Sequence, residues 1–386
     1  MSDKKKILVF IDWFLPGYKA GGPIQSCANL IAHLKNDFDF SVITRDTDYC
    51  ETLSYPNIKS DEWNVLPDGT RVYYISKNNL NKKTIENLIA TERFDTAYLN
   101  GIYSFYFSLL PLYFLKSKIK NQKSKIIIAA RGMLANSAIA VKKTKKKFFI
   151  FISKQIGLFN NVLFHATTAE EARDIKNIFT NAEIKIAPNL PKKTAKIELV
   201  KRNKTVGTVR LINIARISPE KNLKYALEIL SKVKSKVEFD FYGPIYNEEY
   251  WNECKSIIAA MPENIKVSYK NSIVPEKIIS TFSDYHFMLM PTRGENFGHI
   301  ILEAMSSGCP VVISDQTPWK DLENKKIGWD IPLSNPEKFI KTIEKTTVLT
   351  QEEYNQWSKS AYNFAQTIIN NKEAVEQNKN LFFGTD

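Results

Sequence analysis

Short apolar runs alternate with amphipathic helical patterns along most of this 386-residue chain. Ile7–Ile11 is a continuous apolar run, and comparable runs recur at 126–130, 209–214 and 311–314. Strands that are apolar throughout are typical of parallel sheets covered on both faces by helices. The pattern therefore predicts an α/β protein, and its length favours two domains that each bury a core of their own.

The boundary between the two domains is predicted just before a segment with the composition of a linker. Pro191–Lys204 is rich in Lys and Pro and poor in large apolar residues, and a new series of strands and helices begins at Val209. We predict a Rossmann-like domain at 1–188, a second one at 189–365, and last helices, about 366–386, that pack back on the first domain. Two doubly wound domains of this kind are expected to enclose a cleft.

The charge of the chain narrows the choice of partners. Lys and Arg number 54 and Asp and Glu 41, which gives a net charge of +13 and favours a phosphate-bearing ligand, a nucleic acid or an acidic membrane surface. Basic residues do not interleave with aromatic ones as in nucleic-acid modules, so no nucleic-acid partner is predicted. Four scattered cysteines without a C-x-x-C pair, and an N-terminal apolar run without a cleavage site, favour a cytoplasmic protein.

The segment PTRGENFGHIILEAMSSGCPVVISD, residues 291–315, carries the clearest candidate site. It predicts a strand end, an irregular loop, and a helix from about His299 to Ser307 that ends before Gly308. The carboxyl ends of strands and the N-termini of helices both favour ligands. Glu295 on the loop and Glu303 on the helix can reach one polyhydroxylated ligand, although two surface glutamates would show the same spacing.

Two further segments have the chemistry of phosphate sites. Arg216 and Lys221 are five residues apart on a loop that directly precedes a predicted helix at 222–233. The guanidinium of Arg216 can donate two parallel hydrogen bonds to a phosphate, and Lys221 supplies a compact positive charge. Gly21 and Gly22 follow the first strand and allow close approach of backbone to a ligand, without forming a G-x-G-x-x-G motif or a P-loop. Each feature alone is also typical of solvated surface or of a turn.

Taken together, these segments resemble family-4 retaining glycosyltransferases of the GT-B fold, of the capsule and O-antigen type. The E-x7-E spacing of Glu295 and Glu303, its flanks, and the Arg-x4-Lys pair upstream carry the resemblance. It implies that Glu303 binds the ribose of a donor nucleotide, and that Arg216 and Lys221 neutralise the departing diphosphate. The donor-binding residues that it implies are Gly21, Gly22, Arg216, Lys221, Glu295, Asn296, Phe297, Gly298, His299 and Glu303.

Arg131 is a fourth candidate catalytic residue beside Glu295, Arg216 and Lys221. Ala130–Leu134 reads ARGML and resembles another landmark of these enzymes, many of which have His where this chain has Arg131. Contact with the donor, contact with the acceptor, and bracing of the loop remain open as roles for its side chain.

The resemblance implies metal-independent, retaining transfer from a UDP- or GDP-sugar to a lipid-linked or other glycan acceptor, in surface polysaccharide or glycoconjugate biosynthesis. No metal and no cofactor is predicted, because the D-x-D triplets Asp37–Asp39 and Asp46–Asp48 lack further ligands. An NDP-sugar epimerase and a catalytically silent nucleotide-sugar-binding protein of the same fold are the alternatives.

A basic segment of the first domain predicts a membrane partner. Between Lys116 and Lys154 there are twelve Lys and Arg residues and no acidic one, beside the aromatic apolar runs 105–115 and 148–152. Cations beside aromatic rings favour peripheral docking on an anionic surface, here the inner face of the plasma membrane. The alternative is that both runs are core helices that the lysines merely solvate. The longest apolar stretch, 102–115, is too short to span a bilayer.

Overall fold

The computed structural model describes residues 4–119, 124–135, 138–139, 143–193 and 197–383. The chain divides into two units: unit 1 is Met1–Lys193 with Asn371–Asp386, and unit 2 is Thr194–Asn370. Each unit contains its own largely parallel sheet with helices against it, so the predicted α/β class is confirmed.

Unit 1 is built on an eight-stranded sheet of order β3-β4-β2-β1-β5-β6-β7-β8, in which only the edge strand β3 runs antiparallel to its neighbour. Alternate residues of β1 enter two different core clusters, as expected for a strand that is covered on both faces. The strands are β1 (Lys5–Phe10), β2 (Phe38–Arg45), β3 (Trp63–Val65), β4 (Arg71–Ile75), β5 (Thr96–Asn100), β6 (Lys125–Ala129), β7 (Leu163–Ala166) and β8 (Glu183–Ile186).

The helices of unit 1 connect these strands. A short π-helix, Phe105–Leu109, leads directly into the third of them. Thr168 caps the fifth by accepting from the backbone N–H of Glu171. The helices are α1 (Gly22–Leu34), α2 (Lys82–Thr91), α3 (Leu110–Ile119), α4 (Lys143–Gln155) and α5 (Ala169–Ile178).

Unit 2 has a fully parallel six-stranded sheet of order β11-β10-β9-β12-β13-β14. Its strands are β9 (Thr208–Ile214), β10 (Lys236–Tyr242), β11 (Ile265–Tyr269), β12 (Phe287–Met290), β13 (Val311–Ser314) and β14 (Gly328–Ile331). Its helices are α6 (Leu223–Leu230), α7 (Glu248–Ala259), α8 (Ile278–Phe282) after the 3₁₀ turn Pro275–Lys277, α9 (His299–Ser306), α10 (Pro336–Val348) and α11 (Gln351–Ile369).

The last helix, α12 (Lys372–Phe382), belongs to unit 1 although it follows unit 2 in the chain. Phe382 is buried, and its ring lies 5.3 Å from that of Phe38 and 5.7 Å from that of Tyr98. Asn378 donates from Nδ2 to the carbonyl oxygen of Pro188 at 2.8 Å. These contacts close one face of the unit 1 sheet.

The end of the predicted linker is not solvated. Arg202 and Lys204 are only 4% and 6% exposed. The Arg202 guanidinium donates to the carbonyl oxygens of Ser307 and Gly308, which follow α9, and Lys204 donates to the carbonyl oxygen of Thr347 in α10. Cations are stabilised at the C-terminal ends of helices by the helix dipole. The last residues of the predicted linker are therefore packed on unit 2.

The basic, aromatic segment of unit 1 is divided between core and surface. In the run 105–115 most side chains are buried, whereas in α4 Phe149 and Ile150 pack against the core and Phe148 and Phe151 are 68% and 56% exposed. Lys120, Lys123, Lys142 and the side chain of Lys143 lie outside the described residues. Among the described residues, no helix combines the length and the apolar composition needed to cross a bilayer.

Candidate functional site

The sheet of unit 2 changes direction between β9 and β12. From β9 the chain adds β10 and β11 on one side, and from β12 it adds β13 and β14 on the other. In open α/β sheets ligands bind outside the carboxyl ends of the strands at such a switch point. The loops that leave these two strand ends, 215–222 and 291–298, carry the Arg-x4-Lys pair and the first glutamate of the E-x7-E pair.

Backbone and amide hydrogen bonds fasten these two loops to each other. Asn222 adopts a left-handed conformation (φ 61°) and donates from Nδ2 to the carbonyl oxygen of Pro291 at 2.9 Å. The backbone N–H of Arg293 and the hydroxyl of Thr292 both donate to the carbonyl oxygen of Glu220, at 2.9 and 3.2 Å. These hydrogen bonds hold the two loops in a fixed arrangement.

Lys221 and Glu295 form an ion pair across the switch point. Their side chains are 21% and 13% exposed, so the pair is partly withdrawn from water. Burial acts to raise the pKa of the nearby Glu220, but hydrogen bonds from its own backbone and Ser218, with the charges of Arg216 and Lys221, hold that pKa below its usual value. Arg216 and Lys221 therefore both lie close enough to Glu220 to favour a negative charge at this loop.

The backbone that carries Arg216 is fixed by the end of β10. Ala215 donates its backbone N–H to the carbonyl oxygen of Tyr242 at 2.9 Å, and Ile217 donates to that of Pro244 at 3.0 Å. Between them Gly243 has a φ of 147°, and a Cβ atom there would lie 1.8 Å from the carbonyl oxygen of Ala215. Only glycine fits this contact, which sets the position of the Arg216 loop.

Helix α9 begins at the site without a side-chain cap. Gly298, its N-cap residue, has a φ of 76° and makes no side-chain cap hydrogen bond. Trp319 donates from Nε1 to the carbonyl oxygen of Phe297 at 2.6 Å, and its ring lies 5.4 Å from the Phe297 ring. Glu303 lies half-buried one turn after His299. The start of the helix thus presents backbone dipoles toward the loop that holds Glu295.

The Gly21–Gly22 turn lies in unit 1, at the start of α1. Gly21 is the N-cap (φ 78°) without a side-chain cap, and no atom lies within 4 Å of a Cβ built at either glycine. The loop before it is held by Asp48, whose carboxylate accepts from the backbone N–H groups of Tyr18 and Lys19 at 3.0 and 3.2 Å. The second D-x-D triplet therefore organises a loop, and within the described ranges no group of three or more His, Cys, Asp or Glu side chains is arranged for a metal.

Arg131 follows β6 in a left-handed conformation (φ 53°). Its guanidinium donates from Nε to Asn100 Oδ1 (2.7 Å), from Nη1 to Asn189 Oδ1 (2.6 Å) and from Nη2 to the hydroxyl of Tyr98 (2.9 Å). The next residue, Gly132, donates its N–H to Glu171 Oε1 at 2.5 Å. Arg131 and the two glycines lie in unit 1, and the remaining candidates lie in unit 2.

Two buried histidines are held neutral by their surroundings. Burial and the charge of Arg131 lower the pKa of His165 to about 3. Burial lowers the pKa of His286 to about 4, outweighing its hydrogen bond to the carbonyl oxygen of Asn203. His286 accepts at Nδ1 from the N–H of Arg210, so its other ring nitrogen carries the proton. The His286 ring therefore links two backbone segments, and the His165 ring links the Tyr98 hydroxyl to the carbonyl oxygen of Ala187.

Four residues that organise the site did not stand out in the sequence: Asn222, Trp319, Asp48 and Glu171. Asn222 ends the Arg-x4-Lys segment, and an asparagine just before a helix signals a cap, but its bond to Pro291 depends on tertiary contact. Glu171 lies in the first turn of α5, where an acidic residue is common, but its carboxylate also accepts from the backbone N–H groups of Gly132 and Thr167. Such long-range partners leave no local pattern.

The part of the chain that carries both loops is similar in sequence to known proteins. Residues 196–364, which include both loops and α9, match the family model described as glycosyl transferases group 1. The GDP-Man:Man(3)GlcNAc(2)-PP-Dol alpha-1,2-mannosyltransferase of Caenorhabditis elegans is 25% identical over 198 residues, which are 47% of this chain and 40% of that protein. The matched regions span less than half the length of each of three curated relatives.

Solved structures match over both units. The sucrose-phosphate synthase of Thermosynechococcus elongatus has a TM-score of 0.74 at 14% identity, with 98% of each chain covered. Anabaena HepE, solved with UDP and glucose, has a TM-score of 0.69 at 14% identity and the same coverage. The chain therefore has the GT-B fold, and its residues 196–364 match the glycosyl transferases group 1 model.

Proposed function

We propose that this protein is a glycosyltransferase that moves a sugar from a nucleoside-diphosphate sugar to a glycan acceptor. The observation that carries the proposal is the Lys221–Glu295 contact at the switch point of unit 2, inside the region that matches the family model. A cation and a carboxylate at this place suit the two parts of such a donor. The cation can bind the negatively charged diphosphate, and the carboxylate can accept hydrogen bonds from the sugar hydroxyls.

The roles proposed for the individual groups follow from their chemistry. Arg216, Lys221 and the start of α9 stabilise the negative charge that develops on the leaving diphosphate. Glu303 binds the ribose hydroxyls, while Glu295 and the backbone of Asn296–His299 hold the donor sugar. A charge-assisted hydrogen bond is worth about 1.5–3 kcal/mol, so each cation contributes about one to two powers of ten in rate.

We further propose retention of configuration and independence of metal ions, as in family-4 enzymes. The oxocarbenium-like transition state is stabilised by the adjacent leaving phosphate, whose charge the protein cations balance. The acceptor proposed is a lipid-linked glycan of surface polysaccharide or capsule type. The name of the nematode relative, which contains a PP-Dol-linked glycan, supports a lipid-linked acceptor.

A screen of nucleotides tests the donor assignment. UDP and GDP are each added to the purified protein, and the one that belongs to the donor is expected to raise the melting temperature according to its affinity. UDP is the first choice, since Anabaena HepE was solved with it. Transfer of radiolabelled sugar from the corresponding sugar nucleotide is then measured with and without EDTA. Absence of any nucleotide shift would contradict the proposal, and loss of transfer in EDTA would contradict metal independence.

Peripheral docking at the inner face of the plasma membrane is proposed for one face of α4. We define the α4 face by its exposed apolar residues and by the exposed lysines that flank them: Phe148, Phe151, Ile152, Ile156, Lys145, Lys147 and Lys154. Aromatic rings enter the headgroup region, and each lysine near an anionic leaflet adds about 1 kcal/mol. A lipid-linked acceptor would be reached from such a surface.

Sedimentation with vesicles tests this docking. Full-length protein is expected to bind anionic vesicles at low salt and to dissociate as salt rises. Changing Lys145, Lys147 and Lys154 to Glu should abolish binding, whereas the matched change of the exposed unit 2 residues Lys338, Lys341 and Lys359 should not. Equal binding to neutral and anionic vesicles, or equal loss in both triple variants, would contradict docking through the α4 face.

A further inference from the structure

In the part of the chain that the structure describes, Arg131 forms no ion pair. The buried carboxylate of Glu171 lies close by, but it accepts from the backbone N–H groups of Gly132 and Thr167 and makes no hydrogen bond to the guanidinium. Its three hydrogen-bond partners are all neutral oxygens: two side-chain amides, from Asn100 and Asn189, and the hydroxyl of Tyr98. The side chain is half-buried, so its charge is incompletely solvated. A desolvated cation without a counter-ion is costly to a folded protein, and an anion that binds there removes that cost.

Hydrogen-bond donors exceed acceptors around this guanidinium. Arginine has five N–H donors, and three of the five are used by the bonds to Asn100, Asn189 and Tyr98. Asn189 is 6% exposed, and its Nδ2, on the amide whose oxygen binds Arg131, has no hydrogen-bond partner. The Tyr98 hydroxyl accepts from Arg131, so its own proton is directed to Nδ1 of His165 at 2.8 Å. A ligand that suits this cluster brings acceptors and negative charge.

The cluster adjoins the topological switch point of unit 1. The sheet order places β1 beside β5, with β2 and β4 on one side and β6, β7 and β8 on the other. Asn100, at the carboxyl end of β5, reaches from Nδ2 to the carbonyl oxygen of Pro23 in the first turn of α1 at 3.5 Å. Arg131 and the start of α1, with the open Gly21–Gly22 turn, therefore flank the same asparagine. Both favour a negative charge.

We propose that unit 1 contains an anion-binding subsite at Arg131, which binds the phosphate or carboxylate group of the acceptor. The assignment to the acceptor rests on the proposed function, in which the donor diphosphate is bound by the Arg216 and α9 loops of unit 2. Arg131 is then a recognition residue, and Asn100, Asn189 and Tyr98 position its guanidinium. The acceptor predicted by this subsite is a phosphorylated or acidic sugar.

The substitution Asn189→Asp tests the proposal most directly. It places a carboxylate oxygen where Asn189 Oδ1 now accepts from Arg131 at 2.6 Å, and thereby supplies the missing counter-ion. No hydrogen bond is lost, because Nδ2 makes none. The variant is expected to fold with unchanged or higher melting temperature and to lose affinity for anions at least tenfold. A bracing role alone predicts no effect on anion binding.

Binding is measured on the full chain by calorimetry at constant ionic strength. The probes are inorganic phosphate, a hexose 6-phosphate, glucuronate and, as the neutral control, glucose. Wild type is expected to bind at least one anionic probe more tightly than glucose. Tighter binding of hexose 6-phosphate than of inorganic phosphate assigns the subsite to a sugar phosphate, and tighter binding of glucuronate assigns it to a sugar carboxylate.

Two further variants separate this subsite from the donor site. Arg131→Gln removes the charge but keeps N–H donors, and its affinity for the anionic probe should fall as it does in Asn189→Asp. In Lys221→Gln the affinity for the anionic probe should stay within about twofold of wild type, while the affinity for UDP or GDP should fall. Anion binding that persists in both unit 1 variants, or that disappears only in Lys221→Gln, would overturn the proposal. Anion binding at Arg131 in a protein that binds neither nucleotide would remove the glycosyltransferase assignment and leave the subsite.

Discussion

Lys221 and Glu295 are 74 positions apart in the chain, yet their side chains are in contact. Both residues could be predicted as site residues from the sequence, because each lies in a segment whose spacing suits a phosphate or sugar ligand. Their contact could not be predicted, since it depends on the parallel pairing of β9 with β12. A sequence pattern identifies the groups at a switch point, and the sheet order decides which of them meet.

Replacing Lys221 by alanine is expected to lower kcat/KM for the sugar nucleotide by about tenfold to a hundredfold. The loss corresponds to one charge-assisted hydrogen bond of about 1.5–3 kcal/mol to the leaving diphosphate. Lys224→Ala is the matched control, because Lys224 lies one turn later on α6 and pairs with Glu253 at the surface. Initial rates of transfer check both variants, and equal rates would remove Lys221 from the donor site.

The partners of Arg131 show the limit of residue-level prediction. The sequence alone is consistent with three roles for its side chain: contact with the donor, contact with the acceptor, or bracing of the loop. The three oxygens that hold it come from Tyr98, Asn100 and Asn189, up to 58 positions away. None of these residues forms a recognisable pattern with Arg131, because the pairing arises only when β5 and β6 lie side by side.

Stability is expected to fall as the pH drops from about 6.5 to about 4. The pKa of His286 in the folded state is lowered to about 4, whereas the unfolded chain protonates histidine near pH 6.5. The unfolded state therefore binds more protons in this window, and the free energy of unfolding decreases by up to about 1.4 kcal/mol per pH unit for each such histidine. His165 contributes in the same direction, since its pKa is lowered to about 3.

Urea unfolding between pH 4 and pH 8 measures this effect. His286→Gln removes one titrating group, so its free energy of unfolding should decline less steeply below pH 6.5 than that of the wild type. Above pH 7 the two curves should run parallel, because the wild-type ring is neutral in both states there. Parallel curves over the whole range would show that His286 is not the titrating group.

At the scale of elements, the strands that are buried on both faces were the easiest to predict. Val311–Ser314 has the predicted bounds, and α9 begins at His299 as expected. The edge strand β3 was not predicted, because three residues are too few to show the alternation of apolar and polar residues that is typical of a strand. The burial of Arg202 and Lys204 could not be predicted, because cations that bind helix carbonyls give a segment the same composition as a solvated one.

Because the end of β10 contacts the Arg216 loop, we expect alanine substitutions at two glycines to have unequal effects on stability and activity. Gly243→Ala sets a Cβ 1.8 Å from the carbonyl oxygen of Ala215, so the loop must move. Gly207 also has a positive φ (87°) but faces open space, and its change to alanine costs only the backbone strain of about 1–2 kcal/mol.

Thermal unfolding and transfer kinetics distinguish the two glycine variants. Gly243→Ala should melt lower than Gly207→Ala and should lose kcat/KM by roughly a hundredfold, because a shift of about 1 Å misplaces a charged contact. Gly207→Ala should retain wild-type kinetics. If both variants retained activity, the position of the Arg216 loop would not depend on β10.

For the whole molecule, the division into two units predicts that damage to one core leaves the other intact. Phe382 is 1% exposed and packs on the rings of Phe38 and Tyr98, so Phe382→Ala should destabilise unit 1 by about 3–5 kcal/mol. Phe383→Ala is the control, because Phe383 is 42% exposed and its loss leaves little cavity.

Hydrogen exchange followed by mass spectrometry locates the effect. In Phe382→Ala, exchange should accelerate in β1, β2 and β5 of unit 1, while the peptides of β9, β12 and α9 in unit 2 keep their protection. Faster exchange throughout both units would show that the chain unfolds as a single cooperative body.

The return of the chain to unit 1 at α12 has a consequence for synthesis. Unit 2 is contiguous and has all its strands once Asn370 has been made, but unit 1 lacks the helix that covers Phe38 and Tyr98 until residue 382 leaves the ribosome. At translation speeds of about 5–20 residues per second, that aromatic surface stays uncovered for about 10–40 s after Lys193. The nascent chain thus exposes aromatic side chains on its earlier half while its later half is being made.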